Sequence, residues 1–156
     1  MDPNAIIEIF RRNVTDHYFD LKGRVSRREF WLFVLACFVV AIGMAVVESI
    51  LRTHLLGPVL GLGLLLPMTG MGARRLQDTG KDGTLVWLWA IPSGAAQLIA
   101  LLMAMTGPID AMGFLYFFFS VGWLVNLVAF IAALAMIYFW VQPGAESANQ
   151  YGPAPT

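Results

Sequence analysis

LLGPVLGLGLLLPMTGMGARRLQDTGKDGTLVWLWAIPSGAAQLIALLMAM, residues 55–105, decides the fold. Its flanks, 55–73 and 84–105, carry no charge, whereas RRLQDTGKDG at 74–83 carries three cations and two anions. Uncharged runs of roughly 18 or more apolar residues read as transmembrane helices. A short charged stretch between two such runs reads as a hairpin joining two spans on one side of a bilayer.

The rest of the chain agrees. It is 156 residues long, 58% hydrophobic and 13% charged, with a mean hydropathy of +0.70. A soluble domain carries about 25% charged residues. From Gly83 to Ala145 the single charged residue is Asp110, which a soluble helix pair could not tolerate on its wet side. The composition excludes a soluble globular domain and predicts an integral membrane protein.

The expected architecture is all-α and polytopic, a single membrane domain over 1–156 with four transmembrane helices at 26–51, 55–73, 84–105 and 114–141. Arg52-Thr53-His54 breaks the first pair and Thr106 to Asp110 the second. The turns GFLYFFF at 113–119 either lie in the interface or tilt the fourth helix. Residues 1–25 read as a cytoplasmic or interfacial segment and 142–156 as a flexible cytoplasmic tail.

Nine of the ten Lys and Arg precede Phe30 or fall within 74–83, and Arg52 is the exception. With four spans, all nine lie on one side. Cytoplasmic loops carry the excess of Lys and Arg, so both termini are expected in the cytoplasm. Trp31, Trp87, Trp89 and Trp140 fall at that side's helix ends, where amphipathic rings are favoured. The first 29 residues are too polar for a signal peptide, so the first span is expected to remain as an anchor. The lone Cys37 allows no intrachain disulfide.

MDPNAIIEIFRRN sets Ile6, Ile7, Ile9 and Phe10 near one face, which suits a short amphipathic helix on the inner leaflet. Ser26-Arg27-Arg28-Glu29 matches the S-x-x-E capping box directly before an apolar run. Ser26 would accept from the Glu29 N–H, and Glu29 would reach back to that of Ser26. Arg24, Arg27 and Arg28 then serve as headgroup contacts, each contributing on the order of 1 kcal/mol at an anionic surface, or as a specific anion site.

FDLKGRVSRREFW at 19–31, ARRLQDTGKDG at 73–83 and PGAESANQYGP at 143–153 together resemble the domain-of-unknown-function 805 family of small bacterial inner-membrane proteins. That resemblance implies a four-span fold without an assigned activity. Gln77 stands where the family pattern has a histidine, Asp82 for a Ser, Thr84 for a Trp and Ser147 for the tail's middle Gly. Losing the histidine removes the loop side chain whose unperturbed pKa lies near neutrality.

The spacing lets either Arg74 or Arg75 meet Asp78 on one helical face. The pair is either a loop brace or part of an anion site in which the other arginine takes a phosphate bidentately. Arg24, Arg27 and Arg28 would stand beside it, and Asn149 and Tyr151 could close over it. Gly80-Lys81-Asp82 lacks the spacing of a phosphate-binding P-loop. No nucleophile triad or metal-ligand cluster is present, so no enzyme activity, cofactor, metal or nucleic-acid partner is expected.

Within the spans, Glu48 lies one turn from Arg52 and either snorkels to the interface or forms a buried ion site. Gln97 and Asn126 either hydrogen-bond between helices or line a solute path beside the kinks of Pro67 and Pro92. Small residues at i, i+4, such as Gly57/Gly61 and Ala90/Gly94, argue for close packing of helices and of copies with each other. Three functions stay open: recognition of anionic lipid or a partner protein at the basic face, a transporter or channel subunit, and a ligand-free assembly factor. Membrane lipids, a homo-oligomer or a partner membrane protein are the expected associates.

Overall fold

A computed structural model describes residues 3–105, 113 and 122–155. Helices run Pro3–Thr15 (α1), Arg27–Leu51 (α2), Leu56–Asp78 (α3), Trp87–Met105 (α4) and Trp123–Val141 (α5), with one 3₁₀ turn over Gly83–Val86 before α4. The last four are long and apolar enough to cross a membrane. The expected turn at Thr106 to Asp110 and the aromatic turns at 114–119 lie outside the described residues.

α3 packs against α2 and α4, and α4 packs against α5. At the end holding both termini, Phe30 of α2 meets Trp140 of α5 with ring centroids 4.9 Å apart. The buried cluster of Val25, Phe30, Phe33, Met71, Leu76, Val86 and Trp140 fills this end. Towards the far end, Phe38, Ile42, Ile50, Leu98, Leu102 and Phe130 are exposed on the outer faces of their helices. Lipid tails are as apolar as these side chains, so such faces contribute no hydrophobic drive between helices. Cohesion is concentrated at the basic end.

Local chemistry sets the helix limits. Ser26 Oγ accepts the Glu29 N–H at 3.2 Å and starts α2. The reciprocal half of the capping box is replaced, because the Glu29 carboxylate receives the Arg12 guanidinium from α1. Arg52 ends α2 in a left-handed conformation at φ 52°. The Glu48 Oε1 accepts the Gly57 N–H at 3.0 Å. A carboxylate there satisfies an orphan donor and complements the positive end of the α3 dipole.

The second span, expected over 55–73, continues as helix to Asp78. From Thr69 to Asp78 every residue is buried, so α3 ends as a central post wrapped by the chain's two terminal segments. Pro67 sits inside α3 and lacks the N–H that would bond the carbonyl four residues earlier. That carbonyl, Gly63 O, accepts the Tyr18 hydroxyl at 2.6 Å instead. The segment carrying Tyr18 passes so close to α3 that a Cβ on Gly70 would lie 2.9 Å from the Asp20 carbonyl oxygen.

Candidate functional site

The three charged motifs meet at Asp78. Arg24 donates to Asp78 Oδ1 through Nε at 3.0 Å, with its Nη2 2.9 Å from the same oxygen in an ion pair, while Arg75 Nη1 donates to Oδ2. Of the two pairings open to Asp78 within its own loop, the structure makes the one with Arg75. The three side chains are 2%, 0% and 3% exposed for Arg24, Arg75 and Asp78.

The C-terminal segment supplies the remaining acceptors. Arg24 Nη1 donates to Ser147 O at 2.7 Å and Gly152 O at 3.2 Å, and Nη2 also donates to Ala145 O. A guanidinium has five N–H donors, and Arg24 makes four hydrogen bonds with them. Arg75 Nε donates to Trp140 O at 3.0 Å and Nη2 to Gln142 O. These carbonyls sit at or beyond the end of α5, where a cation also complements the helix dipole.

The tail, expected to be flexible, is therefore fastened. The Ala145 N–H donates to Asp78 O at 2.9 Å. Asn149 Nδ2 donates to Gln77 O at 2.9 Å, and Asn149 Oδ1 accepts the Tyr151 N–H at 2.9 Å. Asn149 and Tyr151 thus close over the α3 terminus through a turn, and the Tyr151 backbone is the group used. A Cβ on Gly144 would lie 2.1 Å from Asp78 Oδ2, so no other residue lets the tail cross the carboxylate here.

Residues 18–153 match the family described as protein of unknown function DUF805. This chain belongs to the DUF805 family. Two similar proteins are inner membrane protein YhaI of Escherichia coli K12, 28% identical over 92% of each chain, and inner membrane protein YhaH of the same strain, 24% identical over 91% of this chain and 92% of that one. No solved structure matches the chain.

The DUF805 motifs therefore form one internal ion network, and their arginines divide into two sets. Arg74 is buried too: its Nη2 donates to Asn13 Oδ1 of α1 at 2.6 Å, and its Nε to Gly70 O at 3.4 Å. Arg24, Arg74 and Arg75, expected at an external ligand, are spent inside the fold. Arg27 and Arg28 are exposed in the first turn of α2. Arg27 borders a cavity of about 450 Å³ between Ser26, Pro143 to Glu146, and Ala154 to Pro155, with Arg75 and Asp78 in its wall. Gln77 takes the histidine position; its Nε2 donates to Leu21 O at 2.8 Å while its buried Oε1 has no partner among the described residues.

The loop before α4 is braced separately. Asp82 accepts the Thr84 N–H at 2.9 Å, which holds its carboxyl below the usual range. The intramembrane polar residues are not brought together. Gln97 of α4 lies against Gly61 of α3, whereas the exposed Asn126 donates to Gly122 O of its own helix at 2.8 Å. Asn13 and Tyr18 are contributors that motif reading passed over. The signal for Tyr18 was Pro67, which leaves Gly63 O in need of a donor; Asn13 had none.

Proposed function

We propose that the basic end faces the cytoplasm and recognises anionic lipid headgroups through arginines that the fold leaves outside its ion network. The partition just described carries this reading. Arg24 and Arg75 are buried and tied to Asp78 and to backbone carbonyls, while Arg11, Arg27 and Arg28 are exposed, with no hydrogen bond or ion pair holding their side chains among the described residues. The first turn of α2 adds unsatisfied backbone N–H groups beside Arg27 and Arg28, and a guanidinium can take a phosphate through two parallel N–H donors. The buried network acts as a clamp that keeps these arginines in register.

Native mass spectrometry of protein released from nanodiscs of equal phosphatidylglycerol and phosphatidylethanolamine tests the reading. The wild type is expected to retain phosphatidylglycerol preferentially, and Arg27→Gln/Arg28→Gln to lose that preference while keeping its thermal stability. Equal retention of both lipids by the wild type would overturn it, and would direct attention to a partner protein at the same face.

A further inference from the structure

α1 is held to the bundle unevenly. Its C-terminal half is fixed by Asn13 to Arg74, Arg12 to Glu29, and Phe10 stacked on Phe33 at 6.0 Å between ring centroids. Towards its N-terminus the apolar side faces α2 across a cleft of about 370 Å³, lined by Ile6, Ile7 and Phe10 of α1 and by Leu35, Val39 and Val40 of α2. Ile7 is 64% exposed and Val39 60%. The cleft opens sideways from a span that lies in the bilayer, so lipid is what can reach it.

Its position on α2 names the part of the lipid. Arg28, Leu35 and Val39 follow the i, i+7, i+11 spacing of one helical face. The exposed Arg28 therefore stands in line with the cleft, and Arg11 is exposed on α1 at the same end. From Arg28 to Val39 is roughly 16 Å along the helix, close to half of the about 30 Å hydrocarbon core. That is the reach of one acyl chain in one leaflet, running from a headgroup at the arginines.

We infer that the cleft between α1 and α2 seats one acyl chain of an anionic phospholipid whose phosphate rests on Arg28. This rests on the reading of the basic end as a headgroup site and adds where the chain of that lipid lies. The cleft converts a general electrostatic attraction into retention of a single molecule.

The test fills the cleft without touching the arginines. In the same nanodiscs, wild type is expected to carry one retained phosphatidylglycerol. Val39→Trp should lower that retention at least tenfold, and Ile7→Trp should do so from the α1 side. Val46→Trp, on an equally lipid-facing turn of α2 beyond the cleft, should leave it unchanged. Thermal unfolding of each variant checks that the bundle is intact. Undiminished retention in folded Val39→Trp and Ile7→Trp would overturn the acyl seat and leave the headgroup reading standing. A wild type that shows no preference for phosphatidylglycerol would overturn both.

Discussion

Asp78→Asn is the substitution that most directly tests the ion network. The change is nearly isosteric, so the contact with Gly144 survives, and what disappears is the countercharge of two guanidinia. Arg24 and Arg75 are 2% and 0% exposed, so neither can recover the loss by turning to water. Removing one partner of a buried ion pair costs about 3–5 kcal/mol. Here each arginine keeps backbone carbonyls of α5 or the tail, Ser147 and Gly152 for Arg24, Trp140 and Gln142 for Arg75. The lower bound, about 3 kcal/mol, is therefore expected. For a chain of this length that corresponds to a fall in Tm of about 6–12 °C, measured by thermal unfolding in detergent. Hydrogen exchange should locate the damage, with faster exchange over 143–155, where the Ala145 and Gly152 amides are bonded, and little change over the far half of α2. Because Arg24→Met and Asp78→Asn act on one network, the double variant should be less destabilised than the sum of the two. A Tm within 1 °C of wild type and an unchanged tail would refute the clamp.

Tyr18→Phe keeps the ring but leaves Gly63 O without its donor next to Pro67; a loss of about 1 kcal/mol should appear as a Tm lower by about 2–4 °C. Glu48→Ala removes the acceptor for the Gly57 N–H at the start of α3, costing about 1 kcal/mol and read most directly as faster exchange of the Gly57 amide. The Asp82 carboxyl is held low in the folded chain by the Thr84 N–H. Its contribution is thus present above the unfolded pKa and lost as pH falls through the lower folded value. Nuclear magnetic resonance should show the Thr84 amide shift titrating with a midpoint below the ordinary Asp value of about 3.9, and Asp82→Asn should abolish that titration.

The spans were legible because an uncharged run of that length has few alternatives in water, and the start of α2 because Ser26 caps the helix through the next turn. The end of α3 was not legible. An arginine pair closing an apolar run looks the same whether it snorkels to headgroups or is buried. The outcome for Arg75 depends on carbonyls at Trp140 and Gln142, more than 60 positions away. The tail carried a partial signal in Gly144, a residue with no turn conformation to justify it, whose role appears only when Asp78 is placed beneath it. Glu48, read as snorkelling or as part of a buried ion site, gave no sequence sign of the acceptor role it has toward the first turn of the next helix.

A bundle in lipid cannot hold its helices together by hiding apolar surface, since the surroundings are as apolar as the side chains. Directional polar contacts must supply the specificity, and they work best where solvent and bilayer meet, because charged side chains can be desolvated there without entering the hydrocarbon. This chain spends Arg24, Arg74, Arg75, Asp78 and Asn13 on that task and so joins its N-terminal helix, central hairpin and tail. The buried charges of the family motifs, Arg24, Arg74, Arg75 and Asp78, thereby have an architectural role. Mutating them should unfold the basic end, and a loss of function that followed would say nothing about what the protein binds. The recognition proposed above is therefore tested at residues that the network does not consume, Arg11, Arg27 and Arg28, and at the apolar cleft between α1 and α2.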